Sequence, residues 1–166
     1  MGSRLLSGLF SCLQSAEMDS LVLGWPVVAL GLISLTYVPY LFLRIPAVHQ
    51  KLAQEKKKGY DIRVPRESQA AATDGTPEGR YIARLSGHHA NCFEFFPMFA
   101  LGVFAALHRG VPEARVNWWA SAVLAQRLVY SGLFIAGTNA TLGNARALVW
   151  TVGLGICCYL IAFASP

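Results

Sequence analysis

The residues best equipped for chemistry lie between Arg84 and Pro97, where the chain reads Arg-Leu-Ser-Gly-His-His-Ala-Asn-Cys-Phe-Glu-Phe-Phe-Pro. An arginine, two histidines, an asparagine and a glutamate sit in a segment otherwise apolar enough to enter a membrane. A charged side chain at mid-bilayer costs about 2.5–3.5 kcal/mol on insertion scales, so such residues face a protein interior or a watery cavity and act together. On a helix Gly87, Asn91, Glu94 and Met98 recur at spacings of four, three and four and share one stripe, with Arg84 one turn earlier. His89 points nearly the opposite way. The stripe reads as the wall of a polar site inside a helical bundle. Further along, Arg127 and Tyr130 stand one turn apart on a common face, and Arg146 opens the last apolar segment.

Arg84, Arg127 and Arg146 are three cations near one membrane level, with Glu94 as the one obvious anion. A guanidinium keeps its proton, and an excess of fixed positive charge in low dielectric calls for an anionic ligand, one with carboxylates. A ligand-free arrangement competes with this: Glu94 pairs with Arg84 or Arg127, neutralises two helices and locks their register. Tyr130 serves either as an interhelical hydrogen-bond donor or as a ligand contact. No metal is expected. His88 and His89 are adjacent, about 100° apart on a helix, and cannot easily chelate one ion together. The cysteines Cys12, Cys92, Cys157 and Cys158 show no paired ligand spacing and no disulfide framework. Cys92, Cys157 and Cys158 read as small core residues, and Phe93, Phe95, Phe96, Phe99 and Phe104 as core or lipid-facing packing.

The elements that must position these residues are membrane spans. Of 166 residues 54% are hydrophobic and 14% charged, and the mean hydropathy is +0.43, well to the apolar side of a soluble domain. The fold class is an all-α, integral membrane four-helix bundle occupying residues 21–166, with spans at 21–43, 81–107, 115–138 and 146–163. Each is close to the about 20 residues that cross a hydrocarbon core. Residues 1–20 form an N-terminal extension whose Arg4, leucines and serines faintly resemble an organelle targeting sequence. Arg44 stops the first span, a polar loop fills 44–80, Pro97 bends the second span, and Gly137 to Asn144 form a turn-rich loop before the fourth.

Eight of the fourteen basic residues fall between Arg44 and Arg80, including the run Lys56-Lys57-Lys58. This places that loop on the cytosolic side or its equivalent. A site built from Arg84, Asn91, Glu94, Arg127 and Arg146 opens toward the same side. The net charge of +5 therefore reflects topology and lipid contact and does not imply nucleic acid. The protein is a multi-pass membrane protein, with endoplasmic reticulum, mitochondrial membrane and bacterial inner membrane equally compatible.

In these segments the chain resembles the MAPEG family, the membrane-associated proteins of eicosanoid and glutathione metabolism, and especially its bacterial-type branch. Tyr60-Asp61-x-Arg63-x-Pro65-Arg66 is similar to that branch's loop motif. Arg84-x4-His89-x-Asn91-x2-Glu94-x2-Pro97 matches the second-helix signature, Arg127-x2-Tyr130 the third, and Arg146 to Gly153 the opening of the fourth. The resemblance implies a homotrimer with glutathione as cofactor between subunits, acting as a transferase or peroxidase on a lipophilic electrophile from the bilayer. Carried over by position, Asn91 and Glu94 hold glutathione's polar backbone or amino group, Arg84 and Arg127 lie near its carboxylates, and His89 and Tyr130 belong to the site. Arg146 is the expected thiol-activating, catalytic residue. Two departures point elsewhere: Gly87 stands where eicosanoid-forming members carry an arginine, and Phe134 where they carry a tyrosine. These favour a non-catalytic structural or accessory subunit of a larger membrane assembly. The loop before Arg146 is also longer than in relatives, which leaves Thr141 as the competing occupant of its place.

Overall fold

The computed structural model describes residues 23–54, 65–162 and 164. The N-terminal extension, the Lys56–Lys58 run and Tyr60 to Val64 of the loop motif lie outside the described residues. Four long apolar helices, α1 (Trp25–Gln54), α3 (Pro77–His108), α4 (Glu113–Ala136) and α5 (Ala140–Ala162), each have the length and composition to cross a membrane. A short helix, α2 (Pro65–Ala72), precedes α3, and no strand occurs among the described residues. The molecule is a multi-pass, all-α bundle, as the apolar segments predict.

The ends of the helices follow from their chemistry. The first free N–H groups of α1 are taken by side chains of α4: Leu23 N donates to Ser121 Oγ at 2.9 Å and Trp25 N to Asn117 Oδ1 at 2.8 Å. The Thr76 hydroxyl caps α3 by accepting from Gly79 N at 3.1 Å. At its other end α3 closes in a Schellman motif: Gly110, at φ 77°, lets Gly110 N reach Leu107 O and Val111 N reach Ala106 O. The adjoining Arg109 donates to Leu160 O at 2.6 Å and also to Ile161 O, tying this turn to the last carbonyls of α5. α5 begins at Ala140, several residues before the expected start, because Asn139 Oδ1 accepts from Leu142 N at 2.9 Å and caps it.

The largest departure from expectation is in α1. Arg44 does not stop the helix, which runs ten residues further to Gln54. Pro39 has no N–H to give the preceding turn, and the backbone widens into a π-helical turn over Tyr40–Arg44, with Ile45 N bonded to Tyr40 O. Arg44 is buried there: its Nε donates to Ser86 Oγ at 2.6 Å and its guanidinium lies 4.8 Å from the Tyr40 ring centroid. A cation so engaged does not require the chain to break toward water. Beyond it, Val48 and Leu52 pack with Ala72 and Ile82, so part of the expected polar loop is helix resting on α3.

The main core gathers Val28 and Leu32 of α1, Phe95, Phe99 and Val103 of α3, Val116, Ala120 and Val123 of α4, and Cys157 and Leu160 of α5. Between α4 and α5, Gln126 Nε2 donates to Val149 O at 2.7 Å, and its amide fills the space beside Gly153, where a Cβ would come within 2.6 Å of Oε1. Small residues of this kind let membrane helices approach and exchange polar contacts. Gly153→Val displaces that amide and lowers stability by about 1–3 kcal/mol, read as a lower thermal midpoint in detergent, whereas Gly155→Ala, with open space around it, leaves the midpoint unchanged.

At the polar end, Lys51 is buried and its ammonium pairs with Asp74 and donates to Thr76 Oγ1 at 2.6 Å. The Lys51 ammonium, with the Thr76 hydroxyl and amide, holds the Asp74 carboxyl well below its usual value of 3.8. A carboxyl depressed in this way stabilises the fold above its unfolded value, and the contribution fades as pH falls toward the folded one. Asp74→Asn therefore lowers the thermal midpoint near neutrality, and the gap to the unaltered protein closes as the pH drops below the ordinary carboxylate range.

Candidate functional site

The polar stripe borders the buried face of α3 and is not on it. That face is Leu85, His88, Cys92, Phe95 and Phe99, whereas Gly87, Asn91 and Met98 are half-buried and Glu94 is exposed. The stripe was expected to line the bundle interior; it lies about one residue to the side. The reason is packing: in an interior without water the large apolar rings Phe95 and Phe99 take the centre, and the amide and carboxylate are left at the margin. Asn91 turns its Nδ2 back to Gly87 O at 2.8 Å.

Inside the bundle α3 and α4 build a second polar group. Arg127 is 1% exposed, its guanidinium sandwiched 4.4 Å from the Phe95 ring centroid and 4.0 Å from that of Tyr130. Its Nη2 donates to Cys92 Sγ at 3.2 Å, while Nη1 is buried without a hydrogen-bond partner. His88 Nε2 lies 2.8 Å from Ser131 Oγ and 3.4 Å from Cys92 Sγ. Cation–π contacts and a sulfur acceptor thus surround a charge that no carboxylate among the described residues neutralises. Tyr130 is buried as well and packs edge-on against Phe134 at 5.6 Å.

Phe134 carries the arrangement across to α5. Its ring meets His88 at 5.8 Å, and the Arg146 guanidinium sits 4.3 Å above it. Gly87 lies at the ring's tip, where an added Cβ would be 3.1 Å from Cζ. Arg146 therefore faces into the α3–α4 groove, whereas Thr141 is exposed. Gly87 and Phe134, the two departures that the resemblance singles out, thus face one another.

The remaining residues divide between two other places. His89 faces α1, its Nδ1 3.0 Å from Thr36 O, with the rings of Tyr40 at 4.4 Å and Tyr37 at 5.5 Å. The Tyr40 N–H goes to Tyr37 O, three residues back, leaving Thr36 O to the imidazole and the proton on Nδ1. Arg84 rests near the Tyr81 ring, its Nε buried without a partner. A cavity of about 450 Å³ lies beside it, between the extended end of α1 and the start of α3, lined by Gln50, Lys51, Gln54, Glu78 and Tyr81. No ion pair joins Glu94 to Arg84, Arg127 or Arg146 among the described residues. The ligand-free pairing expected as the alternative is thus not formed.

Sequence reading passed over Cys92, His88, Ser131 and Phe134 as members of one group. Their signal was present: His88, Cys92 and Phe95 recur at four and three residues, as do Arg127, Ser131 and Phe134, each set marking one helix face.

A four-span apolar bundle with Arg127 enclosed between its second and third long helices and Arg146 laid over Phe134 defines a class of small integral membrane proteins. The family model described as "MAPEG family" matches residues 26–165, nearly the whole chain, and the protein belongs to this family. Neither a curated protein nor a solved structure gave a match.

Because Arg127 fills the space between two rings, volume dominates its replacement. Arg127→Ala opens a cavity costing about 2–5 kcal/mol, whereas Arg127→Met, which keeps the volume and removes an unneutralised charge, costs under about 1.5 kcal/mol. Thermal unfolding of both variants in one detergent gives the comparison.

Proposed function

We propose that the protein binds glutathione between neighbouring subunits of a homotrimer and uses its thiol against a lipophilic electrophile drawn from the bilayer. The observation that carries this reading is the mismatch of charge. Arg84, Arg127 and Arg146 have no carboxylate partner among the described residues, and Glu94 stands exposed midway along α3 with no cation. An acid at that depth facing lipid costs several kcal/mol, which favours a second subunit or a ligand against it. Glutathione offers two carboxylates, an ammonium and amides, the complement of this set.

The residues fit the tripeptide with a division of labour. Arg84, with an unpartnered Nε, suits a carboxylate, Glu94 suits the ammonium, and Asn91, one turn before Glu94, keeps its amide oxygen for a peptide N–H. Arg127 and Tyr130 are too enclosed to touch a ligand in the lone chain, so they serve by holding α3 and α4 in register and adding positive potential. His89, turned to α1, fixes the α1–α3 contact beside the site. Glutathione, when bound, supplies a sulfur nucleophile. Arg146, always charged, favours the thiolate of a thiol held near it. Gly87 and Phe134 motivated an accessory, non-catalytic role; their mutual packing under Arg146 weighs against that reading, because it orders a cation that a purely structural subunit does not need.

Arg146→Ala tests the reading: the trimer persists in mild detergent while the ultraviolet thiolate absorbance of added glutathione disappears. An unchanged thiolate signal removes Arg146 from the mechanism.

A further inference from the structure

We infer that Phe134 and Gly87 act together as the positioning device for Arg146, so that thiol activation depends on a ring and a glycine that never touch the sulfur. The inference deepens the glutathione-activating reading and rests on it.

Three observations carry it. The Arg146 guanidinium lies 4.3 Å above the Phe134 ring, and among the described residues no hydrogen bond or ion pair fixes it. An arginine with several rotatable bonds at the mouth of a groove is otherwise free to swing toward water, carrying its charge out of reach of any thiol in the groove. The Phe134 ring is itself held. It is 7% exposed and braced edge-on by His88 at 5.8 Å and Tyr130 at 5.6 Å. The third support is Gly87. A Cβ there would approach Cζ to 3.1 Å and Cε1 to 3.4 Å, so the ring's tip packs close against the bare α3 backbone and a Cβ would press it back by a few tenths of an ångström, a longer side chain by more. The stack therefore runs from the α3 backbone through a ring of α4 to a cation of α5. The glycine and the phenylalanine are one feature of the chain: a larger residue at 87 pushes the ring, and a non-aromatic residue at 134 removes the surface on which the guanidinium lies.

The geometry also decides which substitutions mimic which. Phe134→Met keeps apolar volume and loses the π face. Gly87→Leu leaves Phe134 intact but drives its ring from the place where Arg146 meets it. Phe134→Tyr adds a hydroxyl at Cζ, against Gly87, and resembles Gly87→Leu more than the unaltered protein. Loss of one cation–ring contact at this half-buried position corresponds to at most about a tenfold change in an equilibrium.

The test measures the thiolate absorbance of bound glutathione and, separately, its affinity by calorimetry, for the unaltered protein, Phe134→Met, Gly87→Leu, Arg146→Ala and the double variant Phe134→Met/Arg146→Ala. The expected result is a thiolate fraction lower by up to about tenfold in Phe134→Met and in Gly87→Leu at unchanged affinity, with no further loss when Phe134→Met is added to Arg146→Ala. Equal thiolate in Phe134→Met and the unaltered protein overturns the inference and leaves the glutathione reading standing. An additive loss in the double variant also overturns it, since Phe134 then acts without Arg146. A lowered thermal midpoint with an unaltered thiolate fraction shows a packing role only and overturns it too. Absence of a thiolate signal in the unaltered protein fails at the first step and overturns both the reading and the inference.

Discussion

A guanidinium that cannot surrender its proton, closed inside a bundle whose outside faces lipid, is the constraint on which the arrangement depends. No carboxylate among the described residues answers it. Arg127 is accommodated by two aromatic faces and a cysteine sulfur, and this fixes what α3 and α4 present to each other: Phe95, Cys92 and His88 from one side, Tyr130, Ser131 and Phe134 from the other. Rings can surround a cation without adding a charge that would itself need burying, which matters where a second ion costs several kcal/mol to desolvate. The solution leaves the positive charge un-neutralised. On the proposed glutathione reading, that residual potential is what draws an anion to the adjoining groove.

The same economy of charge shapes the polar end. Pro39 opens the π-helical turn that carries Arg44 to Ser86 and Tyr40, and the helix then continues to a buried Lys51, whose partner Asp74 belongs to the turn that caps α3. α1 and α3 are joined at successive levels by Thr36 to His89, Arg44 to Ser86, and Lys51 to Asp74 and Thr76. Each contact uses a backbone carbonyl, hydroxyl or carboxylate on one helix and a cationic or imidazole group on the other. The Arg84 side of the groove thereby rests on a braced frame.

How much of this was legible in the sequence depended on the length scale of the signal. Four apolar segments of membrane-crossing length announce four spans, and family membership follows from motifs spread along them. The site was less legible because a polar stripe and a buried face on one helix differ by a single residue, about 100° of rotation. Pattern alone does not say which of Asn91 and Cys92 looks inward, and the bulk of Phe95 and Phe99 decides. Arg44 misled for a related reason: a cation at the end of an apolar run marks a membrane boundary only when nothing nearby can take it, and Ser86 and Tyr40 lie 42 residues away and one turn away respectively. Gly87 and Phe134 were visible as departures from relatives, but their contact across two helices carries no signature in either local pattern.

The measurement closest to the central claim is a calorimetric titration of glutathione into the purified protein in mild detergent, set beside the same titration with glutathione whose carboxylates are esterified. The account predicts saturable heat with the free tripeptide and none with the ester, because unneutralised arginines are what the carboxylates meet. No heat with either, from protein that is folded and oligomeric, would contradict it and leave these cations as parts of the bundle alone.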